Sequence, residues 1–160
     1  NMGGTLKALA DNAEEMEIPT ISEASRMVAE TALMAARGNS GAILAQFFQG
    51  LSEGLEKYRK VNTIDFAQAA KVASDKSVEA VSKPKEGTIL TVIHDWSEYL
   101  MQKASEMPDF ADLFYQSLEV ARISLKKTKD QMEVLKKANV VDAGAQGFVY
   151  ILEGAMNFAE

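Results

Sequence analysis

Cysteine is absent from this chain, which excludes disulfides and thiolate metal sites and sets the expectation of a cytoplasmic protein. Positive charge is in deficit: 17 lysines and arginines stand against 23 aspartates and glutamates, a formal net charge of −6. Without a compensating basic stripe the chain is not a general nucleic-acid binder. The densest basic stretch, Lys126-Lys127-Thr128-Lys129, is short and reads as a solvated helix end. No apolar run approaches the length of a transmembrane segment, and no signal-peptide pattern stands at the beginning. Strand alternation is missing too: Val140-Val141 is too short to count, and no two runs alternate strongly enough to pair. Histidine occurs once. The helical phase of His94 sets it opposite Ile89, Ile93, Trp96 and Leu100, an exposed structural position rather than that of a general acid or base. There is no Gly/Ser or Pro linker, no low-complexity tract and no internal repeat.

What is present is helix. A length of 160 residues with 47% apolar and 25% charged content fits one globular domain, which buries roughly 70% of its unfolded surface. Leu6, Leu9, Ala13 and Met16 open a helical pattern, and the pair Glu14-Glu15 reads as surface charge on it. Pro19 with Thr20-x-x-Glu23 forms a capping box for an amphipathic helix running to Ala36. Ala42 to Tyr58 is a further helix, with Leu44, Phe47, Phe48, Leu51, Leu55 and Tyr58 at spacings of three and four. Thr63 begins a segment whose inner face carries Phe66, Ala69, Ala70 and Ala73, small enough to permit close helix approach, with Pro84 as its stop. Glu86-Gly87-Thr88 and Pro108-Asp109 start two more. Thr128-x-x-Gln131 reads as the cap of a short helix ending near Lys137, and Asp142-Ala143-Gly144 starts the last. The expected fold is therefore all-α: a single antiparallel bundle of about seven or eight helices with short connections. Trp96 lies in an apolar stripe and reads as core.

Three helix starts share a composition: Gly38-Asn39-Ser40-Gly41, Glu86-Gly87-Thr88 and Asp142-Ala143-Gly144-Ala145-Gln146-Gly147. Each couples glycine to a small polar capping group. A glycine-rich turn opening a helix leaves several N–H groups without carbonyl partners and places the positive end of the helix dipole behind them, which favours phosphate. The same residues also suit a plain helix–helix corner, with Gly38 ending one helix and Asn39 or Ser40 capping the next. Arg37 fits either a phosphate partner or a counter-charge to the preceding helix dipole. In an up-and-down bundle alternate connections share an end, so the three starts have the means to line one mouth. No Walker loop and no strand-borne dinucleotide fingerprint is present.

The order and spacing of Asn1-Met2, Ala36-Arg37-Gly38-Asn39-Ser40-Gly41-Ala42-Ile43-Leu44, Glu86-Gly87-Thr88-Ile89-Leu90-Thr91-Val92 and Val140-Val141-Asp142-Ala143-Gly144-Ala145-Gln146-Gly147 resemble the dihydroxyacetone-kinase L-subunit-like (DhaL-like) family. Within it, the chain is most similar to the ATP-binding domain of bacterial fatty acid kinases, including versions fused to a DegV-like lipid-binding domain. The likeness covers essentially the whole chain. It implies an eight-helix barrel, ATP or ADP with two magnesium ions bound at one end, and phosphoryl transfer to a small acceptor. That acceptor would be a fatty acid carboxylate presented by a DegV-like fatty-acid-binding protein or fused domain, and the family leaves room for a homodimer. The likeness implies that Gly38, Asn39, Ser40 and Gly41 cradle the phosphates, with Ser40 central. Thr88 would cap the helix bordering the nucleotide, and Asp142 to Gly144 would lie near the adenosine end. Asn1 matches the asparagine that follows the family's metal loop.

The chain departs from the family at its start. Relatives hold magnesium with aspartates in a Gly-Asp-x-Gly-Thr-like loop just before Asn-Met, and this sequence begins at that Asn. Gly3-Gly4, where relatives often carry bulkier residues, is a second departure. The expectation is a fragment spanning residues 1–160, with its magnesium ligands upstream of Asn1 and no turnover by itself. Two alternatives stand beside the fatty acid kinase: a dihydroxyacetone-type kinase subunit fed by a phosphate carrier protein, and a nucleotide-binding or docking module without turnover.

Overall fold

The computed structural model describes residues 15–17, 38–85 and 87–159. Six helices run through them: α1 (Gly38–Leu55), α2 (Thr63–Glu79), α3 (Ile89–Lys103), α4 (Phe110–Gln131), α5 (Glu133–Ala138) and α6 (Ala143–Ala159). A single 3-10 turn, Ala104–Glu106, follows α3. The chain is all-α, as its periodicity predicts. Asn1, Arg37, the Leu6 to Ala13 pattern and the Thr20–Ala36 helix lie outside the described residues.

Local chemistry sets the helix boundaries. Asn62 accepts the Asp65 N–H at 2.8 Å while the Asp65 carboxylate receives the Asn62 N–H, a reciprocal capping box on α2. Asp109 caps α4 through the N–H groups of Ala111 and Asp112. Helix α2 ends at Glu79, before Pro84 can act on it, and α1 stops at Leu55, leaving Tyr58 beyond its end. Asn139 closes α5 in the left-handed conformation at φ 55°, which asparagine tolerates better than most residues.

Two expectations are corrected. Glu15–Glu17 (β1) and Lys60–Asn62 (β2) pair antiparallel, with Met16 opposite Val61, so Met16 and Glu15 belong to a strand and not to a helix. Three residues per strand carry too little alternation to register as a period. Thr128 does not cap a short helix either. It lies inside α4, fully buried, and Met132 precedes α5 in the capping position.

The core is aromatic at its centre. Trp96 on α3 is buried beside Phe47 of α1 and Phe148 of α6, with ring centroids 5.8 and 5.7 Å away. Its indole N–H donates to Ser117 Oγ at 3.1 Å, so burial leaves no orphan donor. Helix α1 crosses α2 at its small face. A methyl at Gly54 would come within 2.8 Å of Ala69 Cα, and one at Gly50 within 2.9 Å of Ala73 Cα. Here glycine on one helix and alanine on the other set the interhelical distance.

Candidate functional site

Helix α1 begins at Gly38, so Gly38, Asn39 and Ser40 form its first turn instead of a loop ahead of it. The amides of a first helical turn have no acceptor within their own helix. Ser40 is half-buried, and its hydroxyl faces the first turn of α6. A Cβ built on Gly144 would collide with Ser40 Oγ and come within 3.1 Å of Ser40 Cβ and 3.3 Å of Asp142 Oδ2. Two motifs more than a hundred residues apart thus meet, with glycine at 144 making room for the serine.

Asp142 is held by three hydrogen bonds. Its Oδ2 accepts the Ala145 N–H at 2.9 Å, its carbonyl accepts the Gln146 N–H at 3.0 Å, and its own N–H donates to Thr128 Oγ1 at 3.1 Å. It is therefore the N-terminal cap of α6. The α6 start abuts Ser40 through Gly144, and the positive end of the α6 dipole lies at this terminus.

The third motif reaches the same end by way of α4. Gly87 has φ +81°, and a Cβ there would come within 2.7 Å of Gln131 Cβ and 3.1 Å of Met132 Cγ. Only glycine fits both the conformation and the space. The Gly87 N–H donates to Thr91 Oγ1 at 3.0 Å. Thr88 accepts the Leu90 N–H at 3.3 Å and donates to the Lys85 carbonyl at 2.7 Å. It is the cap of α3, and its hydroxyl hydrogen is committed to the backbone. Gln131 lies one turn beyond Thr128, so the last turns of α4 touch both other helix starts.

Of the residues expected at the site, Ser40, Asp142 and Gly144 are brought together, Gly38, Asn39 and Gly41 belong to the same α1 turn region, and Thr88 caps a neighbouring helix. Thr128 is the residue that motif reading overlooked. Its phase was the available signal, since Ala121, Ser124, Leu125 and Thr128 form one buried stripe at spacings of three and four.

The arrangement is suited to an anion. Two helix N-termini and one hydroxyl converge, and the one carboxylate among them, Asp142, is turned onto its own helix. Among the described residues no three His, Cys, Asp or Glu side chains are grouped to hold a metal. His94 is exposed. Among the described residues no helix is long and apolar enough to cross a membrane.

An uncharacterized protein of Staphylococcus saprophyticus is 39% identical over 154 residues, covering 96% of this chain. Protein YloV of Bacillus subtilis is 37% identical over the same length, and an uncharacterized protein of Staphylococcus aureus is 34% identical. The chain spans 28% of the length of each of these relatives. Residues 1–157 match the DAK2 domain, a domain of nucleotide-binding kinase systems. The chain belongs to the DAK2 domain family.

Proposed function

We propose that this domain binds ATP at the end of the bundle where α1 and α6 begin, and serves as the nucleotide-holding part of a cytoplasmic kinase. The carrying observation is the seating of Ser40 against Gly144, which joins two glycine-rich helix starts into one anion-facing surface. The first-turn amides of α1 and the Ser40 hydroxyl would hold phosphate oxygens. The α6 start, rigid through Asp142, would fix their position. Fatty acid is the acceptor the sequence resemblance favours, a carboxylate delivered by a DegV-like partner or domain and converted to an acyl phosphate. Bound nucleotide supplies the phosphoryl group, and this chain's residues contribute positioning and charge stabilisation.

The described residues fit phosphate but not a magnesium cage, because Asp142 is engaged by Ala145 and no other carboxylate joins it. Magnesium binding is expected from the aspartate loop that the resemblance places before Asn1.

Titration with ATP, with and without magnesium, followed by thermal unfolding tests the reading. A ligand that binds only the folded state stabilises it by about 2.7 kcal/mol at a hundred times its Kd. The expected result is a rise in Tm that S40A reduces. An unchanged Tm at millimolar ATP in both conditions would overturn the assignment.

A further inference from the structure

We infer that Thr128, buried in α4 away from the ligand-facing surface, is a positioning residue that sets the α6 start against Ser40. This inference rests on the nucleotide reading above and extends it to a residue that touches no ligand. The Thr128 hydroxyl is fully buried and uses both of its capacities: it donates to the Leu125 carbonyl at 2.6 Å and accepts the Asp142 N–H at 3.1 Å. The Asp142 amide precedes α6 and has no acceptor in that helix, so Thr128 is what holds it. The link continues outward. Asp142 Oδ2 fixes the Ala145 N–H, and Gly144, between them, abuts Ser40.

Three residues along the same helix, Gln131 fills the space beside Gly87. The C-terminal part of α4 thereby sets two of the three glycine-bearing helix starts at once. A valine at 128 keeps the volume and the β-branch but strips the acceptor, leaving the half-buried Asp142 amide without its protein partner. The α6 start is then free to shift relative to Ser40 while the rest of the core stays packed.

The test compares T128V, T128S and T63V in the full-length protein, reading ATP affinity and Tm on each. Thr63 is a buried threonine at the opposite end of the bundle, where its hydroxyl donates to the Ala104 carbonyl at 3.0 Å. The expected outcome is an ATP Kd raised about tenfold by T128V, restored to within about twofold by T128S, and unchanged in T63V despite a comparable loss of Tm. Wild-type affinity in T128V, or an equal loss in T63V, overturns the positioning role while leaving nucleotide binding intact. Failure of the wild-type protein to bind ATP overturns the nucleotide reading itself, and this role with it. Amide exchange of the wild-type protein without nucleotide needs no variant. Protection of the Asp142 amide matching that of α4 is expected, and exchange at the rate of an open loop overturns the inference.

Discussion

At Gly144 the space for a side chain is taken by Ser40, and at Gly87 it is taken by Gln131. The two glycines nevertheless differ physically. Gly144 sits in helical backbone, where alanine is intrinsically favoured by up to about 1 kcal/mol. Any loss in G144A therefore comes from crowding, chiefly the collision with Ser40 and to a lesser degree the approach to Asp142 Oδ2. The expected result is a destabilisation of about 1–3 kcal/mol in urea unfolding, accompanied by weakened ATP binding. In the double variant S40A/G144A the Oγ collision is removed while the close contact with the Cβ of residue 40 remains, so stability should recover in part while binding does not. Gly87 combines a crowded position with φ +81°, so G87A carries strain on top of overpacking and should cost more than G144A. If G87A proved the milder of the two, the left-handed conformation at 87 would be in doubt. The sequence already marked these glycines as unusual by placing each beside a capping residue. Which side chain occupies their space was not legible, because Gln131 and Ser40 are remote in the chain.

At the scale of whole helices, the α1–α2 contact depends on side chains that are missing. Gly50 and Gly54 lie four apart on α1 and face Ala73 and Ala69, also four apart on α2. A methyl at either glycine would reach under 3.0 Å of an alanine Cα, a backbone atom that can yield only if the helices separate. G50A and G54A are each expected to lower stability by about 1–3 kcal/mol. Gly154 on α6 is the internal control, since a methyl there meets nothing within 4 Å. G154A should raise stability by about 0.5–1 kcal/mol through backbone entropy and helix propensity alone. Urea midpoints of the three variants decide the matter, and equal effects at 54 and 154 would mean the helices are not in contact there.

The small face of α2 was legible because Ala69, Ala70 and Ala73 recur at helical spacing. The caps at Thr88, Asp109 and Asp142 were legible because each is a small polar residue just before an apolar period. The β1–β2 ribbon was not, since its pairing joins segments some forty-five residues apart through three residues each. Thr128 was misplaced for a related reason: threonine is a good cap as well as a tolerable core residue, and only the tertiary contact with Asp142 decides between them. In the candidate site, Ser40, Asp142 and Gly144 were singled out by local composition together with the family resemblance, whereas their meeting is a property of the packed bundle.

Over the whole molecule the core manages polarity with hydroxyls. Every buried polar side chain among the described residues is a serine or threonine, and none of the buried side-chain polar atoms among them lacks a partner. Several satisfy themselves within their own helix, as Ser77 does on the Ser74 carbonyl, Ser97 on that of His94 and Ser117 on that of Phe114. Among the described residues no carboxylate, ammonium or guanidinium group is fully buried, and exposed ion pairs are worth little. Hydrogen bonding from Gln49, followed by Lys76, holds the Glu53 carboxyl below the usual carboxylate range. The Asp75 carboxylate beside Lys71 raises that ammonium, and Glu153 with Glu119 raises the Arg122 guanidinium. The signs fix the pH window. A lowered carboxyl contributes fully above its ordinary range and loses that contribution only as pH falls through the lowered value. A raised cation contributes fully below its ordinary range and loses it only as pH climbs through the raised value. Neither limit lies near neutrality, and no buried charge is present among the described residues to add a slope between them. The stability measured by urea unfolding should accordingly vary by less than about 1 kcal/mol between roughly pH 6 and pH 9. It should fall in acid as Glu53 takes up its proton, and at strongly alkaline pH as Lys71 gives its proton up. A steep slope near neutral pH would reveal a buried titrating group and contradict a core whose polar groups, hydroxyls and the Trp96 indole N–H, do not titrate in that range.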